Sequence, residues 1–471
     1  MDTYVLSDLH LSATKEGGLY AGGDALLHLI SRLAQKATPV RVILNGDTFD
    51  FLAEEGELAI DVPLLTATAQ RLVSTEIGAA LFRQLGRVLA NHGQVIVRLG
   101  NHDLELALPA VQEQLRRALH QPTAVAARLE FSTGDRPLLL DFGGVRVLVT
   151  HGEHDDPFNQ VDYPQLMSSA EASGVPRSSF RYPAGSLLMR KIVAPIRAKY
   201  GLHFLDYLKP DFQGAALAAM AIAPEACREL FQRATWDIAW QLLRYSAASV
   251  AFCADVAAEP SLGLAERVAE LTWDGPERSE LTEWLLEPDE GVSFAPAGLG
   301  EKARGKLLDA GLAMYARVHR AAAGSAGRDF FSLTPQSAEA KWATELGARH
   351  GAAAVLTGHS HAARFWHGAD CLYINSGTWI WLMRPPPPEA TAEKWQAWLR
   401  ELQQNPGVAP AADSLLRKEC SLNVVTVTAQ RGGGARLALQ VCQENGNLQE
   451  VRAGELLPAA APPVHKGVAH V

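Results

Sequence analysis

Val42-Ile43-Leu44-Asn45-Gly46-Asp47-Thr48-Phe49-Asp50-Phe51 is the stretch on which the reading of this chain turns. An apolar, β-branched run ends abruptly in a glycine and two carboxylates. A parallel strand buried on both faces reads this way, with polar groups where it leaves the sheet. In open α/β folds, ligands collect at the carboxyl ends of strands. Asp47 is therefore a candidate site residue, and Gly46 lets the backbone approach closely. Alone, a strand ending in Gly-Asp is just a turn. Its companions elsewhere give it weight.

The pattern recurs at four more places. Residues 3–6 read as a strand ending at Asp8-Leu9-His10, and Val95-Ile96-Val97-Arg98-Leu99 ends in Gly100-Asn101-His102-Asp103. Residues 137–141 and 145–150 form a hairpin across Phe142-Gly143-Gly144 and lead to His151. Ala352 to Leu356 runs into Gly358-His359-Ser360-His361. Between them, Leu26, Leu27, Leu29, Ile30 and Leu33 recur at helical spacing, as do apolar residues over 62–92 and 341–350. Strands alternate with helices, which predicts an α/β fold. Five exits presenting Asp, Asn or His suit a divalent first-row metal. The lack of thiolates among them argues against a structural zinc site.

Composition narrows the class. The 471 residues exceed one typical domain, and 48% hydrophobic content supports a sizeable core. A formal net charge of -9 opposes general attraction to nucleic acid or anionic membrane, so such contact needs a local basic patch. The five cysteines, Cys227, Cys253, Cys371, Cys420 and Cys442, are scattered and form no CxxC pair. Reduced thiols in a cytosol fit that better than a disulfide framework. Met1-Asp2-Thr3-Tyr4 opens with an acid and runs straight into a strand, which reads against a secretory leader. No apolar run reaches the ~18 residues of a membrane span. Cytoplasmic placement is the expectation, with peripheral contact at the inner membrane face as the variant.

Taken together, Asp8-x-His10, Gly46-Asp47-x-x-Asp50, Gly100-Asn101-His102-Asp103, His151 and Gly358-His359-x-His361 resemble the calcineurin-like metallophosphoesterases, in the right order. The resemblance covers roughly residues 1–160 and 340–383, plus the last two strands. It implies a β-sandwich flanked by helices and does not cover the middle, whose Ala-, Leu-, Arg- and Trp-rich composition reads as a large, mainly helical insertion. Core segments are expected at 1–160 and 336–445, the insertion at 161–335, and a disordered tail over 446–471. Within the family, Ser7-Asp8-Leu9-His10-Leu11 and the Gly46 to Phe51 run look most like the bacterial UDP-2,3-diacylglucosamine pyrophosphatase branch. That branch usually has Arg where this chain has His102.

Carried over residue by residue, the resemblance implies two divalent ions, Mn first, with Fe or Zn as alternatives. One would take Asp8, His10, Asp47 and His361. The other would take Asp47, Asn101, His151 and His359, with Asp47 shared. It further implies a bridging water that loses a proton and attacks phosphorus in line. His102 would steady the transition state or protonate the leaving oxygen, with Asp103 orienting its ring. Asp50 would hold a ligand or loop, or cap a helix. The acidic run Glu153, His154, Asp155 and Asp156 reads as a solvated loop rather than a functional one. Thr378 and Trp379 read as packing.

The expected reaction is hydrolysis of a phosphoester or pyrophosphate bond. A nucleotide-lipid pyrophosphatase at the membrane surface and a nucleotide or nucleic-acid phosphodiesterase are the rival substrate readings. A non-enzymatic scaffold would need decayed ligand positions, and none has decayed. Arg177, Arg181, Arg190, Lys191, Arg197, Lys199 and Lys209 form a basic island over 177–209, interleaved with apolar residues. It could rest on an anionic membrane, wall a site for a phosphorylated lipid, track a nucleic-acid backbone, or simply pack on the core. Trp236, Trp240, Trp273 and Trp284 read as helix core. The oligomeric state is not legible.

Overall fold

Alternation decides which way each strand faces. In β1 (Asp2–Leu6), β2 (Val40–Asn45) and β3 (Gln94–Arg98), Tyr4, Leu6, Val42, Leu44, Val95 and Val97 point to one apolar cluster. Val5, Ile43 and Ile96 point the opposite way, into another. Strands buried on both faces need a layer on each side, and the chain supplies both. The computed structural model describes residues 1–14, 18–54, 58–156, 159–171, 180–208, 331–386, 390–405 and 414–458.

On the first side lie α1 (Ala25–Ala34), α2 (Val62–Ser74), α3 (Glu76–Ala90), α4 (Pro109–Ala118) and the single turn α5 (Thr123–Ala126). The helical run over 62–92 is split at Thr75, whose side chain caps α3 by accepting from Gly78 N. On the other side lies a second sheet. It contains β5 (Leu138–Phe142), β6 (Val145–Val149), β7 (Ala354–Thr357), β8 (Ala363–His367) and β9 (Leu372–Ser376). Val147, Val149, Leu356 and Ile374 of that sheet meet Val5, Ile43 and Ile96 in the shared core. Its outer face, through Leu148, Val355 and Tyr373, packs on Ala343 of a further helix (Ser337–His350). The result is a two-sheet sandwich covered by helices on both sides, the α/β architecture expected.

The first sheet has seven strands in the order β14-β13-β12-β1-β2-β3-β4, where β4 is Leu129–Ser132, β12 Asn423–Ala429, β13 Ala435–Cys442 and β14 Leu448–Leu456. β1 to β4 are mutually parallel, and β12 to β14 are antiparallel to their neighbours. Two findings correct the sequence reading here. β14 occupies part of the stretch expected to be a disordered tail; its outward residues are exposed, so Leu448–Leu456 lacks the apolar signature of a strand. β4 and β8 carry no strong exit signal in the sequence. A small ribbon pairs β10 (Leu382–Met383) with β11 (Lys418–Glu419).

After β6 the chain forms α6 (Tyr163–Glu171), α7 (Ala184–Leu188), a wide turn over Met189–Val193 and α8 (Ala194–Tyr200). Counting onward, Ser337–His350 is α9 and Ala392–Gln404 is α10. The rest of the expected insertion, 209–330, lies outside the described residues, and with it Lys209, Cys227, Cys253 and the four tryptophans at 236, 240, 273 and 284. Arg177 lies outside them too. Within the basic island, Arg190 donates to Leu52 O at 2.9 Å and Arg197 pairs with Asp206, while Arg181 and Lys191 are exposed. No helix among the described residues is long and apolar enough to cross a membrane.

Register brings the exits together. Leu6 pairs with Leu44 and Asn45 with Arg98, so β1, β2 and β3 end level. Val149 pairs with Leu356, so β6 and β7 end level as well. Asn45 then ties the sheets: its Nδ2 donates to Thr150 O at 2.8 Å. Trp379, fully buried, closes the rim by donating Nε1 to Asn423 O at 2.8 Å.

Candidate metal centre

Three of the five exits turn sharply at their ligand-type residues. Asp8, His10, Asp47, His359 and His361 all hold a positive φ, at 56°, 47°, 49°, 66° and 57°. Non-glycine residues there carry strain of about 1–3 kcal/mol each. Cross-loop hydrogen bonds over-determine the geometry. Asp8 N donates to Gly46 O at 3.1 Å, His10 N to Asp47 O at 2.9 Å and Gly358 N to His151 O at 2.9 Å. Gly46 has φ 84° and lies so close to His151 that a Cβ would sit 2.3 Å from its Nδ1. Only glycine fits there.

The side chains converge. Asp47 Oδ2 lies 3.7 Å from His10 Nε2 and 3.4 Å from His151 Nε2, between the two halves of the site. Its Oδ1 accepts from His102 N at 2.9 Å. His361 Nε2 lies 3.3 Å from Asp8 Oδ1 and 3.1 Å from His10 Nε2. His359 N donates to Asp8 Oδ2 at 3.0 Å. His151 donates its Nδ1 proton to Asn45 O at 2.9 Å, which leaves Nε2 turned toward Asp47. Asp8, His10, Asp47 and His361 group ligand atoms within 4.8 Å of one another, as do Asp47, His151 and His359.

Do these residues fit two cations? Asp8 Oδ1, Asn101 Oδ1 and His151 Nε2 are buried without a hydrogen bond. Buried polar atoms are seldom left so. Two imidazole nitrogens facing each other at 3.1 Å, beside two carboxylates, also suit a shared electrophile better than a proton. The set is oxygen and imidazole, the donor types of Mn, Fe and Zn. The fit holds.

Charges agree. Burial pushes the Asp47 carboxyl up, and the imidazoles of His151, His102 and His10 outweigh it, holding it well below the ordinary range. Burial likewise raises Asp8, and His361 and His151 bring it below its usual value. For His151 burial opposes charge, yet Asp47, Asp8 and Glu153 lift it to about 10.

Two sequence expectations change. Asp103 does not orient His102. Its Oδ1 accepts from Gly100 N at 2.6 Å, and its Oδ2 from Thr48 N at 2.8 Å and Phe49 N at 3.3 Å. It is a brace between two loops, and burial with the nearby Asp47 charge raises its carboxyl well above the ordinary range. Asp50 holds His102 instead, with Oδ1 3.0 Å from its Nδ1, while Oδ2 lies 3.4 Å from His10 Nδ1. The same carboxylate caps the short turn Phe51–Ala53 through Ala53 N. Both readings of Asp50, brace and cap, are present at once. His102 is buried, and burial lowers its imidazole against the pull of Asp50 and Asp47.

The acidic run after His151 is not a solvated loop either. Glu153 is fully buried, bonded to Tyr163 and 2.9 Å from His154 Nδ1. Asp156 reaches His359. Thr378 and Trp379 pack, as expected, and Thr378 Oγ1 donates to Asp8 O at 3.0 Å.

Behind the site, Glu105 is buried and accepts from Tyr182 OH at 3.3 Å. Burial, with Asp50 adding to it, pushes its carboxyl up to about 7. The folded state thus keeps a proton that the unfolded chain releases near the ordinary Glu value of 4.5. This stabilisation is full below 4.5 and is lost as pH rises through about 7. Above that, the ionised group costs on the order of 3 kcal/mol. Glu105→Gln is expected to raise the unfolding midpoint at pH 8 and leave it unchanged at pH 4. Equal midpoints at both values would contradict the assignment.

Residues 1–191 match the family model of the calcineurin-like phosphoesterases. This stretch is a calcineurin-like phosphoesterase domain, and the class is that of metal-dependent phosphoester hydrolases. None of the curated proteins matches the chain. The matched range ends before β7, but the fold returns His359 and His361 to the same rim.

Proposed function

We propose that this protein hydrolyses phosphodiester or pyrophosphate bonds at a pair of divalent cations. The observation that carries the reading is the position of Asp47 Oδ2 within 3.7 Å of His10 and 3.4 Å of His151. Asp8, His10, Asp47 and His361 would hold one ion, and Asp47, Asn101, His151 and His359 the other. When bound, the ions supply Lewis acidity toward phosphoryl oxygens and an acidified water. The chain's own residues do the rest. Asp47 offers one carboxylate to both positions and steadies the His102 backbone. With Nδ1 tied to Asp50, His102 keeps Nε2 for the substrate, where it would bond a phosphoryl oxygen or protonate the leaving oxygen. Asp103 keeps the 47–49 and 100–103 loops in register.

The substrate is read as anionic. The segment 184–193 lines the rim: Ser186 reaches Asn101 O and Arg190 reaches Leu52 O. Its exposed Lys191, with Arg181, would draw a phosphorylated group toward the site. A nucleotide-lipid pyrophosphate meets that demand.

The test is a panel of bis-p-nitrophenyl phosphate, a nucleotide-lipid pyrophosphate in mixed micelles, and an oligonucleotide. Each is assayed before chelation, after it, and after Mn is returned. The proposal expects activity lost with the metal and regained with it. Micelle-dependent turnover would favour the lipid, and salt-sensitive oligonucleotide cleavage the polymer. No hydrolysis of any substrate by reloaded protein would end the proposal.

A further inference from the structure

The loop after His151 carries two side chains that the reading above does not use, Asp156 and Asn159. We propose that they form a polarity relay, which fixes the donor and acceptor sense of His359 and Asn101. The inference rests on the dinuclear reading and adds two positioning residues to it.

Asp156 Oδ2 lies 2.9 Å from His359 Nε2 and accepts from Asn159 Nδ2 at 2.7 Å. Asn159 Oδ1 accepts in turn from Asn101 Nδ2 at 3.2 Å. Four side chains from three distant stretches thus make one continuous chain of bonds.

The direction of that chain is forced by its first member. An ionised carboxylate only accepts. Both neighbours of Asp156 must therefore donate to it. His359 carries its proton on Nε2, which leaves Nδ1 with a lone pair for a cation. Asn159 turns its NH2 toward Asp156 and so its carbonyl oxygen toward Asn101. Asn101 must then spend its NH2 on Asn159 and keep its Oδ1 free. An amide nitrogen is a donor without a spare lone pair, so only this orientation can hold a metal.

The far end of the chain bears this out. Asn101 is buried, and its Oδ1 has no hydrogen bond. An isolated amide can flip with little change in shape, exchanging the ligand oxygen for NH2. The relay removes that freedom. Asn159 is itself held from behind: a Cβ on Gly185 of α7 would fall 2.2 Å from its Oδ1. One half-buried carboxylate thereby sets two ligands that come from different sheets.

The test uses the full chain, stripped of metal and titrated with Mn(II). Wild type, Asn159→Leu and Asp156→Ala are compared by equilibrium dialysis and electron paramagnetic resonance. Asn159→Leu keeps the branched shape and removes the polarity; Asp156→Ala alters a side chain at the surface. Wild type is expected to bind two ions with a spin-coupled spectrum. Both variants are expected to bind the second ion about 10–100-fold more weakly, to show the uncoupled spectrum of a single ion, and to keep the first ion's affinity. The melting temperatures of the metal-free proteins should match. Wild type taking up fewer than two ions would overturn the dinuclear reading and the relay with it. Wild-type affinity for the second ion in both variants would overturn the relay alone. So would weakening by Asp156→Ala only, since Asp156 would then be a ligand in its own right.

Discussion

Asp47→Ala is expected to abolish turnover of bis-p-nitrophenyl phosphate, even in Mn-supplemented buffer. The substitution removes the carboxylate that lies 3.7 Å from His10 and 3.4 Å from His151. It also leaves His102 N without its acceptor. Two cations a few ångströms apart repel, and a shared anion offsets part of that. Losing charge stabilisation of several kcal/mol lowers the rate roughly a thousandfold or more, at about 1.36 kcal/mol per decade. The protein itself should hold fewer ions, as measured by elemental analysis after dialysis. A variant with wild-type rate and metal content would remove the basis for the whole site.

His102→Ala separates chemistry from metal binding. The ring is tied to Asp50 at 3.0 Å and sits edge-on to His10, with centroids 4.6 Å apart. It joins neither of the two ligand groups around Asp47. Its removal is expected to lower kcat by about 10²–10⁴-fold, the range for a positioned acid or base, while two ions stay bound. Loss of an ion along with the rate would make His102 a ligand and reverse the assignment. Equal rates would remove His102 as the proton donor.

The sequence carried the five exits because two physical signals coincide at each. Apolar alternation fixes where the strand runs, and a ligand-type residue marks where it stops, as at Leu44-Asn45-Gly46-Asp47. What it could not carry is which carboxylate meets which imidazole. Asp103 is next to His102 in the chain, and the family resemblance implied it as the partner. The loop tips, however, leave three backbone N–H groups in need of an acceptor, and Asp103 goes to them. Asp50, distant in sequence, arrives from the neighbouring strand exit. The same limit hid Asp156 and Asn159, whose meaning lies in a hydrogen-bond direction rather than in a spacing. β14 was hidden for another reason: an edge strand with most outward side chains in solvent has no apolar rhythm to read.

The five left-handed residues proposed as ligands bear on how the protein would acquire its ions. Sheets and cross-loop bonds already force Asp8, His10, Asp47, His359 and His361 into turns that relaxed chains avoid. These bonds belong to the chain itself, so the turns are expected to stand without a cation, unlike those of small metal-dependent domains that fold only around their ion. Loading resembles filling a rigid mould: stripped protein should keep its far-ultraviolet dichroism, and re-entry of metal should proceed in a single fast phase without a refolding lag.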